Sequence, residues 1–142
     1  MAFIIKYDII YLYGVIIMDL HESGEMYLET ILRLQNDNID VRSIDIANYM
    51  HFSKPSVSRA IKLLKESKLI VVDQKGYIDF TDAGREIAVN IYSRHQILTE
   101  LMIYMGVSKK QAEEDACRFE HVISDETYHC VKKFMAEVAK NK

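Results

Sequence analysis

The chain has 142 residues, 49% of them hydrophobic, with a single proline; this suffices for one compact domain or two small lobes and excludes a disordered tail. Eighteen basic against twenty-one acidic side chains give a formal charge of −3, so any DNA-binding surface has to be a local patch on an acidic body. The two cysteines, Cys117 and Cys130, with no CxxC spacing and no cleavable leader pattern, argue against a disulfide framework and for a reducing cytoplasm.

Residues 1–17 are apolar but carry Lys6 and Asp8, too short and too charged to span a membrane. They read as a β-prone extension, with Met18 the expected natural start and residues 1–20 set apart from the patterned fold. From Ser23, expected to cap the first helix, Tyr27, Leu28, Ile31, Leu32 and Leu34 follow helical spacing up to the polar Gln35-Asn36-Asp37-Asn38 turn. A second, short helix is predicted over Ser43 to Met50, with Ile46, Ala47 and Met50 inward. Ser53 caps a third helix, which tolerates Pro55 in its first turn and buries Val57, Ala60, Ile61, Leu63 and Leu64. This is a helix–turn–helix.

The third helix exposes Lys54, Ser56, Ser58, Arg59, Lys62 and Lys65. With Lys68, residues 52–68 hold five basic side chains against Glu66 alone, a local +4 on a −3 chain. A helix inserted in a major groove needs such a surface; its early side chains, Lys54, Ser56, Ser58 and Arg59, are the candidates for base edges and nearby phosphates. Lys62 is read as a phosphate contact. Leu69 to Val72, a polar Asp73-Gln74-Lys75-Gly76 turn, and Tyr77 to Phe80 then form a β-hairpin, the wing of a winged helix, with Lys75 at its tip.

Thr81-Asp82-Ala83-Gly84 opens a long helix to about Met105, whose Ile87, Val89, Ile91, Ile97, Leu98, Leu101 and Met102 suggest a dimer face. Ser108 and Gln111 form a capping-box pattern for the next helix, and Ser124 with Asp125 and Glu126 marks the start of the last. Cys117, Glu120 and His121 are three and four residues apart, so on a helix they line one face, with Glu113 one turn upstream. A thiolate, a carboxylate and an imidazole together suit a first-row transition metal. Cys130 is expected to be a buried small apolar residue. The fold class is mainly α: a winged helix–turn–helix over residues 21–82, then an all-helical dimerisation and metal-binding lobe over residues 83–142.

Four pieces of this chain resemble the metal-dependent repressors of the diphtheria-toxin-repressor and manganese-transport-regulator family. They are Glu25-Met26-Tyr27-Leu28, the winged helix ending in Thr81-Asp82-Ala83-Gly84, Arg94-His95, and the run Cys117-Arg118-Phe119-Glu120-His121-Val122-Ile123-Ser124-Asp125. The resemblance implies a homodimer that binds double-stranded operator DNA when metal-loaded and poorly without metal. It implies a regulatory site made by Met26, Cys117, Glu120 and His121, in which Met26 ties the first helix to the helical lobe and so fixes the recognition helices. A second site would draw on His95, Glu113 and Glu29, with Glu100 beside Thr99, where iron-type relatives place a carboxylate. The manganese branch has an aspartate at the Met26 position and a carboxylate at the Cys117 position. Sulfur at both tilts this site toward Fe²⁺, with Mn²⁺ the alternative. Iron repressors of the family often continue into a small β-barrel; with the sequence ending at Lys142, the short architecture is expected here.

Two other classes compete. Cys117 as a thiol sensor, with His121 lowering its pKa, would make the chain a redox or small-molecule regulator. Such regulators commonly place their dimer helices ahead of the winged helix. An enzyme is not expected, because there is no HExxH, no Gly-rich phosphate loop and no nucleophile pair. No small-molecule substrate and no membrane partner are expected either.

Overall fold

The computed structural model describes residues 16–37 and 39–141, with side chains from residue 22 onward. The expected β-prone extension lies, over residues 1–15, outside the described residues. Among the described residues, six helices and one hairpin run in the order α1 (Ile16–Asn36), α2 (Ser43–Met50), α3 (Lys54–Glu66), β1 (Ile70–Val72), β2 (Ile78–Phe80), α4 (Asp82–Tyr104), α5 (Lys109–Phe119) and α6 (Asp125–Lys140). They form two compact units, divided between Arg85 and Glu86 just inside α4.

Ser23 does not cap α1, which begins at Ile16 and carries Ser23 in its interior. No proline or glycine between Ile16 and Ser23 stops the helix, so the start signal at Ser23 is overridden. The buried side chains of this first unit include Leu28, Ile31, Val41, Ile46, Val57 and Ile70. At the start of α2 the Arg42 amide donates to the Asp45 carboxylate at 2.8 Å, and the helix ends on His51 in the left-handed region at φ 56°. Ser53 caps α3 as expected, its hydroxyl accepting from the Ser56 amide at 3.4 Å. Val57, Ile61 and Leu64 are buried, but Leu63, expected inside, is 40% exposed. The three buried positions already fill the inward stripe, and Leu63 lies about 100° around the helix from Leu64.

The hairpin pairs Ile70 with Phe80, Val71 with Asp79 and Val72 with Ile78. Its turn is closed by Asp73, whose carboxylate accepts from the amides of Lys75 at 2.8 Å and Tyr77 at 2.9 Å. The lead-in to α2 joins the wing: the Ile78 amide donates to the Val41 carbonyl at 2.8 Å, and the Arg42 guanidinium lies 5.5 Å from the centre of the Tyr77 ring. Below the wing, the Thr81 hydroxyl donates to the Lys68 carbonyl at 2.7 Å and accepts from the Gly84 amide at 3.2 Å. A Cβ on Gly84 would lie 1.8 Å from the Leu69 carbonyl oxygen, so only glycine fits this closing turn.

The second unit contains the rest of α4, α5 and α6. Gly106, at φ 98°, ends the α4 segment, with the Val107 amide donating to the Met102 carbonyl at 2.9 Å. Ser108 caps α5 through the Gln111 amide at 3.4 Å, but the expected reciprocal box does not close: the Gln111 side chain donates to Asp115 at 2.9 Å. Ser124 caps α6 as expected, accepting from the Thr127 amide at 3.1 Å. Cys130 is exposed rather than buried. Tyr128 sets the inward face of α6, and two residues further the helix has turned about 200°, which carries Cys130 to the outer side. Ala88, Ile91, Leu98, Met102, Ala112 and Ala116 are buried in this unit, while Ile103, Tyr104, Met105, Phe119, Val122 and Phe134 remain exposed.

Candidate metal centre and nucleic-acid interface

α5 ends at Phe119, so the expected stripe is not one continuous helix face. Glu120 is the C-cap residue, still with helical backbone angles, and its amide donates to the Ala116 carbonyl at 2.9 Å. His121 and Val122 follow in a turn, where the Val122 and Ile123 amides share the Phe119 carbonyl at 3.1 and 3.2 Å. The turn redirects the chain toward the Ser124 cap within four residues of Glu120.

Glu120 is the most deeply buried carboxylate described, 1% exposed. Its two oxygens face different imidazoles: Oε2 lies 2.8 Å from His95 Nδ1, and Oε1 lies 3.2 Å from His121 Nε2. Cys117 Sγ lies 3.7 Å from the same His95 Nδ1. The donor atoms of His95, Cys117 and Glu120 all fall within 4.8 Å of one another. Ligands bound tetrahedrally at roughly 2.0–2.3 Å stand about 3.3–3.8 Å apart, so the 3.7 Å between Cys117 and His95 already suits a shared metal, while the 2.8 Å between His95 and Glu120 would have to open. The donor chemistry also fits, since a buried carboxylate needs a cation or protonated partners.

Arg94 organises this corner. Its guanidinium donates to the Ile123 carbonyl at 2.9 Å and the Asn90 side chain at 3.2 Å, pairs with the Asp125 carboxylate, and lies 5.0 Å from the centre of the Tyr128 ring. It therefore pins the turn that carries Glu120 and His121 against α4. The Arg94-His95 dipeptide was legible as part of the resemblance, but this bracing role had no signal in the spacing.

His95, expected in a second site, clusters with Cys117 and Glu120. Glu113 is exposed and 3.9 Å from Lys109, and Glu100 is exposed; neither joins that cluster. Thr99 has a buried hydroxyl with no hydrogen-bond partner among the described residues. Met26 is half-buried on α1, its carbonyl accepting from the Thr30 hydroxyl at 2.9 Å. Glu29 is buried and pairs with Arg33 at 2.6 Å.

Of the DNA-facing candidates, Lys54, Ser58, Arg59, Lys62 and Lys75 are exposed. Ser56 is half-buried, its hydroxyl accepting from Ser53 at 2.8 Å and Arg59 at 3.4 Å. Lys62 and Glu66 stand 3.9 Å apart, both well solvated, which contributes little.

A winged helix–turn–helix followed by a helical unit that gathers imidazole, thiol and carboxylate donors defines a class, the winged-helix proteins with a metal-binding helical half. The sequence comparisons agree unit by unit. Residues 19–78 match the N-terminal DNA-binding domain of iron-dependent repressors, and residues 81–142 match their metal-binding and dimerisation domain. The chain belongs to the iron-dependent repressor family. It is 29% identical over 124 residues to the diphtheria toxin repressor of Corynebacterium diphtheriae, covering 87% of this chain and 55% of that protein. It is 28% identical over 109 residues to the iron-dependent repressor IdeR of Mycobacterium leprae, covering 76% of this chain and 47% of that one. The chain thus spans about half the length of the curated relatives it matches. Among solved structures it is similar to the manganese regulator SloR, with a TM-score of 0.70 and 27% identity over 80% of this chain and 53% of that one. No helix among the described residues is long and apolar enough to cross a membrane.

Proposed function

We propose that this protein is a metal-dependent transcriptional repressor whose homodimer binds operator DNA when loaded with a divalent metal, and that it acts in the cytoplasm without catalysing a reaction. The observation that carries the reading is the buried Glu120 carboxylate held between His95 and His121, with the Cys117 sulfur beside His95. Cys117, Glu120 and His121 are the proposed ligands in the helical unit, and Met26 is added on the sequence resemblance. Because the two imidazoles address different oxygens of one carboxylate, Glu120 would serve two ions, one held with His95 and Cys117 and the other with His121. The metal's charge would replace the protons or cations that a buried carboxylate otherwise needs. Ligation orders the ligand-bearing segments in advance, so less entropy is lost when the dimer meets DNA.

Lys54, Ser56, Ser58, Arg59, Lys62 and Lys75 are the proposed DNA contacts; the exposed lysines serve the phosphates. The exposed Ile103, Tyr104, Met105 and Phe134 of the helical unit support a second copy of the chain as its partner. Fe²⁺ is the proposed activating ion, since a thiolate favours it over harder ions. Mn²⁺ is the competing reading, supported by the likeness to the manganese regulator SloR.

The test is an anaerobic fluorescence-anisotropy titration of chelated protein onto DNA from its own promoter, with Fe²⁺ or Mn²⁺ at matched free concentrations. Activation by Fe²⁺ well below the Mn²⁺ requirement supports the iron reading; preference for Mn²⁺ replaces it. Binding restored by a reductant without any metal would overturn the metal-dependent reading in favour of a thiol sensor at Cys117.

A further inference from the structure

The basic side chains of α3 are not equivalent. With each residue turning the helix about 100°, Arg59 projects about 170° from the mean direction of the buried Val57, Ile61 and Leu64. It thus stands at the middle of the outward face. Lys54 and Lys65 flank the core side, and Lys62, although outward, lies in the C-terminal half beside Glu66. In a helix–turn–helix the N-terminal half of the second helix meets the base edges, and Arg59, sixth of the 13 residues of α3, is the long, donor-bearing side chain that this half presents at the middle of the outward face.

Its conformation is also restrained. One terminal nitrogen donates to the Ser56 hydroxyl at 3.4 Å, and Ser56 is itself held by the Ser53 hydroxyl at 2.8 Å. Arg59 further lines a groove with Ser23, Gly24 and Tyr27 of α1. A restrained guanidinium loses less rotamer freedom on contact, and the bond to Ser56 uses one of its five N–H groups. A lysine at the same place would present a mobile point charge instead. A planar fork at the floor of a major groove matches one base edge best, the N7 and O6 acceptors of guanine.

We propose that Arg59 is the sequence-reading residue of this chain and that it recognises a guanine in each operator half-site through N7 and O6. The inference rests on the repressor reading above and deepens it, assigning base readout to Arg59 and leaving Lys54, Lys62 and Lys75 to position the helix through phosphates.

The test is selection of duplexes from a randomised pool by the full-length, Mn²⁺- or Fe²⁺-loaded protein, followed by affinity measurements at several salt concentrations. The wild-type protein is expected to enrich a site with a guanine in each half, and 7-deazaguanine there should weaken binding on the order of ten-fold, because N7 is lost. Arg59→Ala is expected to lose preference at that one position while keeping its preferences elsewhere and its metal dependence. Arg59→Lys should bind with a similar salt slope but relaxed choice at the same position. An Arg59→Ala protein that weakens equally on every sequence, or that keeps the guanine, overturns the assignment and leaves the repressor reading intact. A wild-type protein that enriches no site with either metal overturns both. Circular dichroism of each variant, compared with the wild type, checks that the overall helix content is retained.

Discussion

His95 Nδ1 and Glu120 Oε2 meet at 2.8 Å across a sequence gap of 25 residues, joining the middle of α4 to the end of α5. A carboxylate this buried persists only with compensation, and metal and imidazolium compete to supply it. Glu120→Gln keeps the shape and removes the charge. It is expected to leave a folded dimer by sedimentation while lowering metal affinity by more than the roughly 10–100-fold that loss of a ligand's hydrogen-bond partner costs. His121→Ala should behave alike; unchanged metal activation of DNA binding in both variants would refute the site.

Cys117 is exposed and brings sulfur to a cluster otherwise built from nitrogen and oxygen. Replacing that thiol by a carboxylate hardens the donor set without moving the backbone of α5. Cys117→Glu is therefore expected to shift activation from Fe²⁺ toward Mn²⁺, measured as the ratio of free metal concentrations at half-maximal DNA binding. An unchanged ratio means that Cys117 does not set the selectivity.

Arg94 is buried, and it satisfies the Ile123 carbonyl and the Asp125 carboxylate from one guanidinium. Arg94→Met fills much of the space and leaves the Ile123 carbonyl without its donor, while the half-exposed Asp125 carboxylate turns to solvent, at a cost of roughly 1–3 kcal/mol in denaturant unfolding. Since the same turn carries His121, metal affinity should fall together with stability. Full metal affinity in a destabilised Arg94→Met protein would separate the brace from the site.

Local signals were the legible ones. Ser53 and Ser124 cap helices in the structure because each sits directly ahead of an apolar-periodic run with no competing helical continuation. Ser23 has the same chemistry but a helix-permissive sequence before it, and so it lies inside α1. The trio Cys117, Glu120 and His121 was visible as a spacing, yet spacing could not show that α5 stops at Phe119 and that a turn, not a helix face, presents His121. Nor could it show that His95 approaches Glu120, because contacts over 25 residues leave no periodic trace. Cys130 departs from expectation for a related reason: composition makes a free cysteine a small hydrophobe, while the register set by Tyr128 turns it outward.

Burial pushes the Tyr27 phenol above its ordinary value of 10.0, with the Arg59 guanidinium pulling it partly back. The folded chain thus holds this proton more tightly than the unfolded chain. The corresponding stability is fully present below about pH 10 and is lost as the pH rises through the higher folded value. Tyr27→Phe has no proton to lose there, so its urea midpoint should decline less steeply between pH 9 and 11 than that of the wild type. Identical slopes would show that Tyr27 ionises as freely in the folded state as in the unfolded chain.

Gly84 gives the most local prediction. The Thr81 hydroxyl ties the start of α4 to the Lys68 carbonyl, and the Thr81 amide donates to the Leu69 carbonyl at 3.1 Å. With that oxygen 1.8 Å from where a Cβ would stand on Gly84, backbone has to move, and no flexible side chain can yield in its place. Gly84→Ala is expected to destabilise the DNA-binding unit by about 2 kcal/mol or more, despite the helix propensity that alanine adds. Displacing Leu69 also shifts Ile70 and the hairpin it begins, so operator affinity should fall while metal binding at Cys117, Glu120 and His121 is retained. Isothermal titration with metal and anisotropy with DNA separate the two effects, and a Gly84→Ala protein of wild-type stability would show that the approach of Leu69 relaxes without cost.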